Sequence, residues 1–491
     1  MTKRIKLTPL FVVFLFLAVS GLNTLYGGEL DPMSAKLLSG KTVQADFGFP
    51  PYKDRSASSI AEEITANGYD GVYYFVCADS TVRKDIIAEL QKREIPVAVM
   101  LIATGAYLPA NERPEGWEKW KMEFTSDVMD SYQFMSFVHK DYAEWMKHRV
   151  VRLINDCGFD GFTFAEAMYP IADGLERENV LYGDISPAFR QAFKKDTGNS
   201  VFPEFVDTAK ANYYKKIPDV YNDLVEYRIK TVNDFYDEVV NGQGGVREKC
   251  PGKFVATWTL GISLPQGLEK LREWEGNDIP SMIRRVKPDM HFIQTHAPDW
   301  TNPQLKPDYP GTYKPFFDAV KQTDPQMPVG FQADFVSHED IRRSPQWVKR
   351  FYEVCGRMDI DSTTYYVFGL RWNVYHEPPR LCSVKQIWKD TLVLSFDQRI
   401  SKDCERIVAG RKMITDDKGT QYSVKDAAVD GSLLKLVLDK DICGAKEAKV
   451  LLEGIKDDPA YRFERQGPWQ PMPKGETNVI EKGVCLTLPV E

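Results

Sequence analysis

Carboxylates that close apolar runs are the residues of this 491-residue chain best placed to do chemistry. The clearest is Glu166. A turn carrying Gly158 and Gly161 leads into Phe162-Thr163-Phe164-Ala165, and the run stops on Glu166. A short apolar run bounded by glycine reads as a strand buried on both faces, as in a parallel sheet. An acid at its carboxyl end belongs where the strands of an α/β barrel open, which is where barrels keep their functional groups. Phe164, Met168 and Tyr169 surround Glu166 in sequence and favour its protonated form by desolvation. The alternative is an ion pair with a loop Arg or Lys.

Hydrolysis of a glycosidic bond needs two carboxyl groups across a pocket, one to protonate the leaving oxygen and one to attack or to activate water. Asp334 closes the run Val329-Gly330-Phe331-Gln332-Ala333 and is the expected partner of Glu166. Asp299, in His296-Ala297-Pro298-Asp299-Trp300, is a second candidate. Either could instead cap a turn. Asp46 and Asp79 end the first two strand-like runs and could bind sugar hydroxyls, although Asp79 before Ser80 is equally a helix cap. His296 could hydrogen-bond a hydroxyl, whereas His291 at the start of the same run reads as structural. Trp258 and Trp372 are either sugar platforms or core residues, and Arg371 either binds a carboxylated sugar or pairs with an acid. The sequence contains no HExxH, serine nucleophile elbow or P-loop, so no metal and no cofactor is expected.

The elements that must position these residues alternate in type. Strands are expected at 42–47, 71–76, 97–102, 161–165, 254–259, 290–295, 328–333 and 363–368, with helices at 58–67, 80–93, 142–156, 188–195 and 218–240 between them. Alternation of strands and helices over about eight units implies an α/β fold with a closed (β/α)₈ TIM barrel. No glycine-rich fingerprint follows the first strand, which removes a dinucleotide-binding sheet. A long excursion, 106–139, carries Trp117, Trp120, Tyr132 and Phe134 and reads as a lid or wall. Pro378-Pro379 punctuates the barrel exit, and strand-like runs at 391–396, 406–414, 432–438, 449–453 and 483–488 imply a small all-β sandwich. The expected domains are a leader at 1–28, a barrel at 29–380 and a sandwich at 388–491.

Composition narrows the partners. A formal net charge of -7 and a pI near 5.6 argue against nucleic acid or an anionic membrane surface. Lys3, Arg4 and Lys6 precede an apolar run at 10–19 that is too short to span a bilayer, which reads as a cleaved secretory signal and a secreted or periplasmic protein. No integral membrane segment is expected after its removal. Eight scattered Cys form no zinc pattern. Cys77 and Cys157 read as buried thiols, and the four from Cys382 onward as candidates for pairing.

The segment 160–166, the following Gly183-Asp184-Ile185-Ser186-Pro187-Ala188-Phe189-Arg190 stretch and the long helix 218–240 together resemble the clan-A barrel glycosidases, closest to the family 42 β-galactosidase-like group. The resemblance implies that Glu166 is the acid/base and that Trp372 is an aromatic platform. In that clan an Asn precedes the acid/base and the nucleophile is a strand-seven Glu; here those positions are Ala165 and Asp334. The C-terminal part resembles bacterial Ig-like modules. The combined expectation is an exported glycoside hydrolase acting on a carbohydrate substrate through Glu166 and Asp334. The alternative is a glycan-binding barrel without catalysis.

Overall fold

In the computed structural model, which describes residues 28–105, 107–126, 133–169, 182–334, 343–366, 377–458, 461–462, 470–471 and 477–491, the apolar runs become eight parallel strands. They are β1 (Gly40–Ala45), β2 (Gly71–Phe75), β3 (Val97–Ile102), β4 (Gly161–Ala165), β5 (Phe254–Leu260), β6 (Met290–Gln294), β7 (Val329–Asp334) and β8 (Ser362–Tyr366). Each pairs with the next in sequence, and β8 pairs back with β1 to close the ring. Helices Ala57–Ala66, Lys84–Gln91, Lys140–Cys157, Pro218–Asn241, Ile279–Val286, Lys314–Thr323 and Pro345–Arg357 cover its outside. The fold is a (β/α)₈ barrel, as the alternation of runs implied.

Strand alternation separates two cores. Val43, Ala45, Val99, Leu101, Phe162, Phe164 and Phe331 face outward against the helices. Tyr73, Phe75, Ala98, Met100, Ala165, Trp258 and Phe292 fill the lumen. Each such large side chain contributes about 2 kcal/mol on burial. Trp258 stacks on Phe292 at 4.2 Å and 7°, with Tyr73 edge-on to both. β7 carries Gly330 at this level because a Cβ there would overlap the Phe292 ring.

The tilt of the strands sets which inward positions share a height. Each ladder climbs about one residue per strand, so a layer takes side chains from alternate strands. The registers place Tyr73, Thr163, Phe292 and Thr364 in one layer, and Gln44, Met100, Trp258 and Gln332 in the next. Phe75, Ala165, Gln294 and Tyr366 lie above them. The following positions, at the rim, belong to Asp46, Ile102, Leu260 and Asp334. Asp46 and Asp334 thus come level on the two strands that flank β8.

The helix Pro218–Asn241 starts with Pro at its first turn and buries Leu224, Val232, Phe235, Tyr236 and Val239 on one face. Arg228 on that face is fully buried. Its guanidinium donates to the Glu273 and Trp274 carbonyls at 2.7 and 3.0 Å. It also lies 4.6 Å from the ring centroids of both Tyr169 and Tyr182. One cation therefore ties the segments that follow β4 and β5 to a rigid helix. No helix among the described residues is long and apolar enough to cross a membrane; the leader at 1–28 falls almost wholly outside them.

The C-terminal part is the expected small antiparallel all-β domain. Strands β9 (Leu381–Trp388), β10 (Thr391–Phe396), β11 (Lys412–Asp416), β12 (Gln421–Asp430), β13 (Leu433–Leu438), β14 (Glu447–Leu451) and β17 (Cys485–Pro489) form one antiparallel ladder in the order β17-β14-β11-β12-β13-β10-β9; β15 (Tyr461–Arg462) and β16 (Gln470–Pro471) form a separate pair. A Val384–Val490 bridge and the Glu491 N–H to Val384 carbonyl bond bring its two edges together. The ladder therefore curls around its own core of Leu392, Leu394, Val424, Leu434, Leu436 and Val450. Bringing the edges together covers backbone groups that would otherwise be unpaired. The run 406–414 differs from expectation. It splits into a helix, Asp403–Val408, and β11, because Cys404 and Val408 bury as an i, i+4 pair after an acidic first turn. No disulfide forms among the described residues, so the four cysteines from Cys382 onward are not joined to one another.

This domain docks on the barrel through the helix Ala57–Ala66 and the loop before it. Arg399 forms a forked pair with Asp54 at 3.0 and 2.8 Å. Ser59 Oγ donates to the Asp430 carbonyl at 2.7 Å, and the buried Arg55–Glu63 pair, 2.6 Å apart, lies beside Ser432.

Candidate active site

The carboxyl ends of the strands converge on the rim. Asp46 follows β1 and is almost fully buried. The Gly48 N–H donates to its Oδ1 at 2.7 Å. Burial pushes its carboxyl up to about 6, while the Gly48 and Cys77 hydrogen bonds and the Lys53 charge pull the other way. Cys77, two residues past the end of β2, has a thiol raised well above its ordinary range. Burial is the main cause, and Asp46 adds to it both by charge and by its hydrogen bond. The Glu166 charge acts on the same thiol in the same direction, and Arg149 opposes it. The two carboxylates foreseen at strands one and four thus both act on the Cys77 thiol, Asp46 the more strongly.

Glu166 is half-buried and adopts a left-handed backbone, φ 53°. That conformation costs a residue with a Cβ about 1 kcal/mol, and such outliers cluster where function requires them. It interrupts the strand alternation at the point where the side chain would otherwise turn outward with Phe164. The backbone around it is fixed on both sides. The Ala103 N–H donates to the Ala165 carbonyl at 3.0 Å. Asn277 Nδ2 donates to the Ala167 carbonyl at 3.2 Å, and the Tyr169 N–H to the Glu275 carbonyl at 2.9 Å. Tyr169 is in turn held by Thr231 at 2.6 Å and by Arg228.

A shared wall joins the excursions after β3 and β4. Asp184 Oδ1 accepts from the N–H groups of Glu123 and Ser186, at 3.1 and 2.7 Å. Burial raises its carboxyl despite these bonds. Trp117, Trp120, Tyr142 and Trp145 pack together behind this wall. Trp117 and Trp120 of the excursion therefore pack on the helix Lys140–Cys157.

The other expected residues distribute differently. Asp299 is tied outward: the Tyr313 hydroxyl donates to its Oδ2 at 2.6 Å and accepts from the His296 N–H at 2.8 Å. The His296 ring is buried at the rim, 3.5 Å from Ser263 Oγ. His291 faces away from the lumen between Thr257 and Thr259, at 2.8 and 3.1 Å, and burial drives its pKa down to about 3. It is a neutral structural histidine. Asp79 is paired with Arg149 and Arg152 at 2.7 and 2.6 Å. Trp258 lies in the lumen, stacked on Phe292. Asp334 ends β7 at the level of Asp46. Arg371 and Trp372 lie outside the described residues.

Three features escaped the sequence reading: the coupling of Asp46 to Cys77, the clamp at Arg228, and the buried Glu275 that meets the segment after Glu166. The alternation Thr42-Val43-Gln44-Ala45-Asp46 did carry a signal. Polar residues at period two inside an apolar strand mark one face that is not dry.

No protein-family model matches the chain. No curated protein matches it either. Among solved structures it is similar to the glycoside hydrolase domain of PgaB (BpsB) from Bordetella bronchiseptica, at 14% identity and TM-score 0.46, over 67% of this chain and 93% of that one. It is also similar to an endo-β-1,4-mannanase from Thermotoga petrophila, at 9% identity and TM-score 0.40, over 92% of this chain and 98% of that one. A third is the glycoside hydrolase domain of PelA from Pseudomonas aeruginosa, at 10% identity and TM-score 0.36, over 67% and 94%.

Proposed function

We propose that this chain is an exported glycoside hydrolase that cleaves O-glycosidic bonds of a glycan or oligosaccharide by carboxylate catalysis. The observation that carries the reading is Glu166. It is a carboxylate held in a left-handed turn at the mouth of a closed barrel, and it acts electrostatically on a thiol that a second carboxyl, Asp46, also touches. Export rests on the basic and apolar leader of the sequence.

In this reading Glu166 delivers its proton to the glycosidic oxygen as the bond to the anomeric carbon breaks. Asp334 attacks that carbon or takes a proton from the attacking water. Asp46, with its carboxyl near 6, hydrogen-bonds a sugar hydroxyl from the same rim. His296 offers a further hydrogen bond, and Arg371 and Trp372 after β8 complete the substrate contacts.

The test is a screen of the purified protein against aryl glycosides and against plant-type, mucin-type and amino-sugar polysaccharides, with Glu166→Gln in parallel. Cleavage by the wild type that the variant loses supports the assignment. A variant that retains the wild-type rate removes Glu166 from the mechanism.

A second reading, a glycan-binding barrel without turnover, is favoured by Ala165 before Glu166 and by the short Asp at 334. Sugar binding with no cleavage in the same screen selects it.

A further inference from the structure

The lumen two layers below the rim holds polar atoms that the fold itself does not satisfy. Gln44 Nε2, Trp258 Nε1 and Gln332 Oε1 are buried and have no hydrogen-bond partner among the described residues. The side chains that carry them are at most 5% exposed. Buried polar atoms are nearly always paired, and leaving one unpaired costs more than a typical hydrogen bond gains. One such atom is a local defect. Three of them in a single layer, contributed by β1, β5 and β7, form a pattern.

The chemistry of the set is specific. Gln44 and Trp258 present N–H donors, and Gln332 presents a carbonyl acceptor. A hydroxyl group can receive from a donor and give to an acceptor at once, which no carboxylate or ammonium can do. The stacked ring of Trp258 supplies an apolar face beside them. The position above on β4 is Ala165, the smallest side chain of the layer that Phe75, Gln294 and Tyr366 otherwise fill between these groups and the rim.

We propose that Gln44, Trp258 and Gln332 form the floor of a sugar subsite and read ring hydroxyls of the residue held at the rim. The inference rests on the glycosidase reading and adds to it the groups that select the sugar. It also accounts for an otherwise wasteful arrangement, since a lumen filled only for stability would carry Leu or Met at positions 44 and 332.

The experiment titrates the wild type, Gln44→Leu and Gln332→Leu with D-glucose, D-galactose, D-mannose, D-glucosamine and N-acetyl-D-glucosamine, by ligand-observed NMR. Thermal melts without sugar are recorded first. Both variants are expected to melt at or above the wild-type midpoint, because each removes an unpaired buried group. Both are expected to bind the preferred sugar about 10-fold more weakly. Gln44→Met and Gln332→Met serve if a leucine variant does not fold. Unchanged affinity in both positions overturns the subsite, even where the wild type cleaves a glycan and the glycosidase reading stands. Weakened binding by a protein that cleaves nothing upholds the subsite and removes the hydrolase. Absence of binding to every sugar overturns the subsite. Waters that satisfy all three atoms in a crystal and persist in sugar-soaked crystals also overturn it.

Discussion

The Cys77 thiol and the Asp46 carboxyl act on each other across the ends of two adjacent strands, and the Glu166 charge acts on the same thiol. Burial holds the Asp46 carboxyl at about 6, against 3.8 for the free side chain. The folded protein therefore keeps this proton up to about pH 6, whereas the unfolded chain gives it up near pH 4. Between those values the native state binds more protons, so stability falls as pH rises. The penalty is absent below pH 4 and complete above pH 6, where it amounts to roughly 3 kcal/mol. Asp46→Asn keeps the neutral form at every pH. The variant should exceed the wild type in stability at pH 8, by roughly 1–3 kcal/mol, and lose that advantage at pH 4. Denaturant unfolding at the two pH values checks this; an equal difference at both would show that Asp46 does not titrate in this range.

Glu166 combines chemical placement with backbone strain. A residue with a Cβ at φ 53° is less stable there than glycine. Glu166→Gly should therefore fold with unchanged or raised stability, by up to about 1 kcal/mol, while losing activity about 10²–10⁴-fold. Glu166→Gln should lose activity similarly without the gain in stability. Melting curves and rates on one cleaved substrate separate the two effects. A destabilised glycine variant would mean that Glu166 is a structural anchor.

Much of the barrel was legible in the sequence. The runs 97–102 and 161–165 coincide with β3 and β4, because a strand buried on both faces is written as an uninterrupted apolar string. The C-terminal ladder was harder to read. β12 carries Lys425-Asp426 at a register shift, and β9 is exposed at Lys385, Ile387 and Trp388, so neither shows a clean alternation. The rim was legible only as a set of strand-end acids. That Asp46 and Asp334 share a height depends on the stagger of the ring, which no local pattern encodes. Asp299 looked equivalent to them and is turned away by one hydroxyl, that of Tyr313. Arg228 sat inside an apolar helical stripe and passed as part of a packing face, although it is the residue that holds the segments after β4 and β5.

That role of Arg228 makes it sensitive in a particular way. Removing its guanidinium leaves the Glu273 and Trp274 carbonyls without their donors and separates Tyr169 from Tyr182. Arg228→Met should cost about 3 kcal/mol. Arg228→Lys should recover little of it, because an ammonium cannot make two coplanar bonds and stack between two rings. Chemical denaturation of both variants tests the geometry. Full recovery by lysine would show that charge alone is what the site requires.

The docking of the two domains turns on Gly431. Its φ is +59°, and a Cβ there would overlap the Arg55 guanidinium and Ser59 Oγ. Arg55 is paired in the interior with Glu63 at 2.6 Å, so it cannot move aside without leaving a buried carboxylate alone. Gly431→Ala should therefore weaken the contact by about 3 kcal/mol, through the broken ion pair and the strained backbone together. The barrel and the ladder each keep their own core, so the loss should appear as uncoupling. Calorimetry of the variant should show two separated transitions where the wild type shows a more cooperative one. A variant trace superimposable on the wild type would mean that Arg55 yields at no cost and that the interface does not depend on this glycine.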